Sequence, residues 1–198
     1  GTEQEIFTLE ELVQKFSIQK VHKGGAKFDF EKAKWFNHEW MKRLDEAELL
    51  PYVKTHFAQK GFEPSDENFL LKVIALVKER CTLLSDFWEQ GYFFFKTPKE
   101  WDTIAIKAKW SSQKIDFFKN YEKALRSLSD WSPTSLEALF KQLAEAAGIK
   151  PGELQLPLRI MLVGGKFGPP VFDIATVLGK EETAGRINTA LENFGELR

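Results

Sequence analysis

The chain has 198 residues, with 28 Lys and Arg against 29 Asp and Glu and a formal net charge of −1. Hydrophobic residues make up 43% and aromatics 14%, enough for a substantial core and too much for a disordered chain. Near-neutrality excludes a uniformly basic nucleic-acid protein but leaves room for a local basic face.

Almost every start and stop signal is helical. Thr8 with Glu11 forms a capping box ahead of the apolar stripe Leu9, Leu12, Val13 and Phe16. Asp29 is placed to cap a helix carrying Phe30, Ala33, either Phe36 or Asn37, and Trp40. The run ELLPYVKTHFAQKG predicts a helix with Pro51 in its first turn and Gly61 as its left-handed stop. Ser65 or Asp66 opens the next, which buries Phe69, Leu70, Val73, Ile74 and Val77. Arg80, Cys81 and Thr82 end that segment or lead into LLSDFWEQ. The densest aromatic cluster, GYFFFKTP, follows, and YFFF is the only stretch with the make-up of a strand.

Thr97-Pro98-Lys99-Glu100 sets out a capping residue, a first-turn proline and a capping-box glutamate, so a helix and an interior boundary are predicted there. Ile115, Phe118, Tyr121, Leu125 and Leu128 then recur at helical spacing. Ser132-Pro133 opens a helix that Gly148 closes. Pro151 starts another, through Leu154, Leu158, Met161 and Leu162 to Gly164. The loop GGKFGPP separates it from a helix ending near Gly179, and a last helix covers 180–193. The prediction is an all-α fold with two helical subdomains meeting near residues 96–103.

Catalytic and metal chemistry find little support. Cys81 is the single cysteine, so an internal disulfide is impossible, and it reads as a small core residue in a chain of a reducing compartment. His22, His38 and His56 lack metal-ligand spacing, and no metal site is expected. GGKFGPP lacks the spacing of a phosphate loop, and KWSSQK reads as a helix-capping turn. No apolar run approaches the roughly 20 residues that span a bilayer, and GTEQEIFTLEEL does not read as a signal peptide. The expectation is a cytoplasmic monomer with no membrane partner.

Charge distribution is more informative. Residues 104–166 carry ten Lys and Arg against six Asp and Glu, whereas the flanking stretches are net acidic. Lys119, Lys123 and Arg126 share a helix face opposite the Phe118–Leu125 stripe, as either a solvated face or one that neutralises phosphates. Arg80, between a helix end and an aromatic segment, and Arg159, one of few charges in LPLRIML, can fork onto a base edge or pair internally with a carboxylate. The loop Gly164–Pro170 either brings backbone close to a ligand or is a stiff connector after a helix C-cap. Phe93–Phe95 belong to the core or, in an alternative reading, form the partner surface of an all-α protein-interaction module.

Three blocks resemble one family over essentially the whole chain: the C-terminal, anticodon-binding portion of bacterial-type glutamyl-tRNA synthetase. The first, from EIFTLEEL to EWMKRL, is similar to a segment in which the family reads F-D-x-x-K-L-x-W-x-N, matched by Phe28, Asp29, Lys32, Trp35 and Asn37. The second is VIALVKERCTLLSDF. The third, LPLRIMLVGGKFGPPVFDIATVLGKEETAGRI, matches P-L-R-x-x-L-T-G followed by L-G-K-E-x-x-x-x-R-I, with Val163 in place of the usual Thr.

The resemblance implies that 1–46 ends a tRNA stem-contact region and that 47–102 and 103–198 are two anticodon-binding helical subdomains. It implies that Arg80 reads the third anticodon base, and that Arg159, Gly168, Pro169 and Val171 are further anticodon-binding positions. Gly168 stands where a Thr can occur, so only backbone contact is expected there. Lys42, where the family has arginine, and Lys119, Lys123, Arg126 and Lys166 are the expected phosphate contacts. The implied partner is tRNA(Glu), and the implied activity of the full enzyme is ATP-dependent ligation of glutamate to it. HIGH-type and KMSKS-type motifs are absent, so this chain is expected to be a fragment with no cofactor of its own, ATP and Mg2+ belonging to the catalytic half.

Overall fold

The structure, a computed structural model, describes residues 4–21, 24–25 and 27–194, and His22 falls outside the described residues. Among the described residues the fold is all-α, with no strand. The helices are α1 Leu9–Lys15, α2 Phe30–Arg43, α3 Glu46–Gln59, α4 Glu67–Val77, α5 Leu84–Gly91 and α6 Ile104–Lys107. Next come α7 Ser112–Ser127, α8 Pro133–Ala146, α9 Gly152–Val163, α10 Val171–Leu178 and α11 Lys180–Phe194. Short 3₁₀ turns at Lys78–Arg80 and Tyr92–Phe94 follow α4 and α5.

The helix starts follow local capping chemistry. Thr8 and Glu11 close their box, Asp29 accepts from two first-turn amides, Asp66 caps α4, and Ser132 caps α8 with Pro133 at its first position. Three expectations need correction. Asp45 and Glu48 form a capping box that starts α3 at Glu46, so Pro51 sits in the second turn rather than the first. YFFF is not a strand: it winds into a 3₁₀ turn that buries Phe93 and Phe94. No helix starts at Thr97-Pro98, because that segment is spoken for by distant partners. Its Asp102 N–H donates to the Gly164 carbonyl at 2.8 Å, and the Thr97 hydroxyl bonds Glu182 at 2.8 Å.

One buried cluster runs from Met41 to Phe194. In its first part Phe57 meets Trp88 and Phe95 edge-on, at 5.1 and 5.7 Å. In the second, Phe140 of α8 packs edge-on to Phe117 and Tyr121 of α7, both at 5.2 Å, and reaches Phe172 of α10 at 5.4 Å. Helix α10 also touches α4, joining the two parts. The expected apolar stripe of α1 buries none of its residues: Leu9, Val13 and Phe16 are largely exposed, at 72%, 68% and 68%. Among the described residues no helix is long and apolar enough to cross a membrane.

Candidate nucleic-acid interface

Arg80 ends the 3₁₀ turn after α4, and the backbone around it is anchored on nearly every side. Lys78 donates to the Leu44 carbonyl at 3.3 Å and pairs with Glu46 at 2.7 Å. Buried Cys81 donates its N–H to the Lys78 carbonyl at 3.1 Å. The Asp86 carboxylate accepts from the Thr82 and Leu83 N–H groups at 2.8 and 2.9 Å. Arg80 itself is exposed, and its Nε donates to the Gln90 amide oxygen at 3.3 Å.

Arg159 projects from α9 and is half-buried. Its Nη1 donates to three successive carbonyls, those of Phe167, Gly168 and Pro169, at 3.1, 3.1 and 2.5 Å. The guanidinium therefore ties down the 164–170 loop, while its Nε and Nη2 have no partner among the described residues. Burial first, and the positive charge of nearby Arg80 second, push the Arg159 pKa below its ordinary value. The two cations thus stand close enough to repel, and neither is paired with a carboxylate among the described residues. Like charges gathered without counterions suit an anion, and planar guanidinium forks suit base edges.

The loop's shape follows from its glycines. Gly164 closes α9 at φ +86°, and a Cβ there would lie 2.9 Å from the Glu100 carbonyl oxygen. Gly168 has φ +100° and lies against Phe93 and Ile174. Between them Phe167 is thrown outward, 36% exposed, stacked on Tyr92 at 6.1 Å and 29°. An open groove of about 970 Å³ runs past this pair, between Lys96, Lys99, Trp101 and Gly164.

The sequence-predicted residues divide accordingly. Arg80 and Arg159 are linked through their surroundings: Gln90, which takes the Arg80 Nε, lies two residues before Tyr92, whose ring stacks on Phe167 in the loop that Arg159 holds. Gly168, Pro169 and Val171 are in or beside the same loop but buried, with the Gly168 and Pro169 carbonyls already held by Arg159. Among the lysines and arginines expected on phosphates, Lys42 pairs with Glu39 at 3.2 Å, and Lys166 with Asp102 at 3.2 Å. Arg126 pairs with Glu122 at 2.6 Å and reaches Glu181 at 3.6 Å. Lys119 and Lys123 are exposed on α7, with no ion pair among the described residues. The aromatic cluster is mostly core, Phe93 being 0% exposed and Phe94 5%. Among the described residues no group of three or more His, Cys, Asp or Glu stands together as metal ligands would.

Sequence reasoning missed Gln90, Tyr92 and Phe167. Gln90 carried no signal, Tyr92 was visible only as a member of the GYFFFKTP aromatic cluster, and Phe167 as the lone large apolar side chain inside a Gly/Pro loop. The L-G-K-E block proves to be a brace for α9 and α7. The Lys180 ammonium donates to the Leu128 carbonyl at 2.6 Å, capping the end of α7, a position the helix dipole favours for a cation. Arg186, 2% exposed, donates to the Leu162 carbonyl at 2.6 Å and to Glu182 at 2.7 Å. Burial works against the charge on Glu182, but hydrogen bonds from Arg186 and Thr97 outweigh it and hold the carboxyl below its usual range.

Comparison with known proteins places this geometry. Residues 30–191 match the family described as the anticodon binding domain. The chain is 38% identical over 191 residues to a glutamate–tRNA ligase of Flavobacterium johnsoniae, covering 96% of this chain and 38% of that protein. It is 37% identical over 195 residues to the corresponding ligase of Porphyromonas gingivalis, covering 98% of this chain and 38% of the relative. Among solved structures, a glutamate tRNA ligase from Elizabethkingia meningosepticum in complex with its amino acid superposes with a TM-score of 0.86 at 39% identity, over 96% of this chain and 37% of that one. A glutamate-tRNA synthetase from Elizabethkingia anophelis gives 0.83 at 39% identity over the same shares. The chain thus spans less than two-fifths of the length of these relatives. Its helices, its loop and its matched residues make it a member of the anticodon-binding-domain family, of the kind found in glutamate–tRNA ligases.

Proposed function

We propose that this chain binds the anticodon loop of tRNA(Glu), as a monomeric, cytoplasmic recognition portion of a glutamate–tRNA ligase whose ATP and Mg2+ chemistry resides elsewhere in the enzyme. The observation that carries the proposal is that Arg80 bonds Gln90, two residues before the Tyr92 ring that stacks on exposed Phe167, while Arg159 holds the loop bearing Phe167, with neither arginine paired with a carboxylate among the described residues. Anticodon bases are single-stranded and unstack readily, so guanidinium forks read their edges and aromatic faces receive their rings. The exposed lysines of α7 supply phosphate neutralisation in a chain whose net charge is only −1.

Fluorescence anisotropy with a labelled tRNA(Glu) transcript at about 0.1 M salt tests this. Arg80→Ala and Arg159→Ala are each expected to weaken binding by about 1–3 kcal/mol, taking the value of a base contact in DNA as the guide. Equal affinity for wild type and both variants would refute the reading. Burial of Phe93 and Phe94 removes most of the surface that a protein-interaction module would have used.

A further inference from the structure

Arg80 reaches its environment through a long flexible side chain, so the direction of its Cα–Cβ bond decides where the guanidinium can go. That direction is set by the turn at Lys78–Thr82, and two side chains of α2 grip the turn from outside. Asn37 donates its Nδ2 to the Thr82 carbonyl, across forty-five residues of sequence. His38, the next residue, places Nδ1 2.7 Å from the Cys81 carbonyl oxygen. A carbonyl oxygen only accepts, so the Nδ1 proton is on the imidazole. On the far side of the turn Asp86 holds the Thr82 and Leu83 amides. The peptide groups immediately after Arg80 are therefore clasped between α2 and α5, while Gln90 of α5 takes the Arg80 Nε.

We infer that Asn37 and His38 are positioning residues for Arg80: by holding the Thr82 and Cys81 carbonyls, they aim its guanidinium at the base it reads. The inference rests on the anticodon-binding function proposed above. Neither residue touches RNA in this account. Asn37 is exposed and His38 only half-buried, so replacing them opens the clasp without emptying the core. Surface hydrogen bonds of this kind contribute little to global stability. Their effect is local, because a turn freed on one side lets the long side chain sample wrong directions and lose the geometry a bidentate contact requires.

The test is a double-mutant cycle on discrimination rather than on affinity alone. The full chain is titrated against labelled tRNA(Glu) and against the same transcript with the third anticodon base changed from C to G, and the ratio of dissociation constants is read. Asn37→Asp keeps the shape but turns the donor into an acceptor facing a carbonyl. It is expected to lower the ratio by about fivefold or more when Arg80 is present and to change nothing further in an Arg80→Ala background. His38→Ala is expected to lower the ratio, and His38→Asn, whose amide nitrogen can stand near the Nδ1 position, to restore most of it. Thermal melts check that each variant is folded. An unchanged ratio in both Asn37→Asp and His38→Ala overturns the positioning role while leaving the anticodon-binding proposal standing, as does an equal loss with and without Arg80. A ratio unaffected by Arg80→Ala likewise overturns the positioning role, since Arg80 then reads no base for the clasp to aim at, whereas the anticodon-binding proposal falls only if Arg80→Ala and Arg159→Ala both leave affinity for tRNA(Glu) unchanged.

Discussion

Replacing Gly164 by alanine places two separable costs on the junction between α9 and the 164–170 loop. The first is conformational: at φ +86° an L-residue meets its own backbone, at about 1–2 kcal/mol. A gain of roughly 0.4–1 kcal/mol from a less flexible unfolded chain partly offsets this. The second is steric. The new Cβ would stand 2.9 Å from the Glu100 carbonyl oxygen and 3.3 Å from Pro98 Cβ, and neither atom is the end of a flexible side chain. Relieving that overlap means moving the 98–102 segment off α9 and stretching the Asp102–Gly164 hydrogen bond of 2.8 Å, about 1–3 kcal/mol more. The total is about 1–4.5 kcal/mol.

Gly148 supplies the control, since it has φ +67° and a Cβ added there would meet nothing within 4 Å, so Gly148→Ala carries the first cost alone. Urea unfolding followed by circular dichroism should therefore rank the variants wild type, Gly148→Ala, Gly164→Ala, the last two separated by at least about 1 kcal/mol. Equal destabilisation of the two would show that the close approach of Glu100 to Gly164 carries no energy, and the account of how the loop is fixed would fail.

Three further outcomes follow from the same contacts. Glu182 has a folded pKa held below its ordinary 4.5, so it contributes stability at neutral pH that is lost as pH falls below about 4.5 and through the lower folded value; Glu182→Gln should flatten that part of an acid-unfolding curve, and an unchanged curve would contradict the Arg186–Glu182–Thr97 brace. Cys81 is buried and its thiol is pushed up to about 12, first by burial and then by Asp86, so a thiol reagent at pH 8 should label it only as fast as the chain unfolds; rapid labelling of the native protein would refute that placement. On α7, Lys119→Ala and Lys123→Ala should each reduce the slope of log affinity against log salt by roughly one, whereas Arg126→Ala should change it less, because Glu122 and Glu181 already occupy that guanidinium; equal slopes for all three variants would contradict this.

What the sequence made legible is what local chemistry decides. The caps at Thr8, Asp29, Asp66 and Ser132, and the stop at Gly164, depend on residues within four positions, and they predicted helix ends closely. Thr97-Pro98-Lys99-Glu100 carried an equally good local signal, yet its threonine bonds Glu182, eighty-five residues away, and its backbone lies across α9 instead of winding into a helix. Pro51 was misplaced because Asp45, a stronger cap than anything inside ELLP, pulled the start of α3 upstream. The same divide runs through the candidate site. Arg80 and Arg159 stood out by residue type and setting, but Gln90, Asn37 and His38 gain their meaning only when the fold brings them to Arg80's turn. Phe167 is the intermediate case, visible in its loop but without its partner Tyr92 until both rings are seen stacked.

The three carbonyls gathered on one nitrogen of Arg159 make that residue a mooring for the loop, in addition to the reading role proposed for it. Rigidity of the loop and choice of nucleotide cannot be adjusted independently at such a position: any exchange that alters what is recognised also unties Phe167, Gly168 and Pro169. If the proposed function holds, retuning this surface is therefore more practicable at Gln90, whose side chain meets Arg80 through a single long hydrogen bond and makes no other among the described residues.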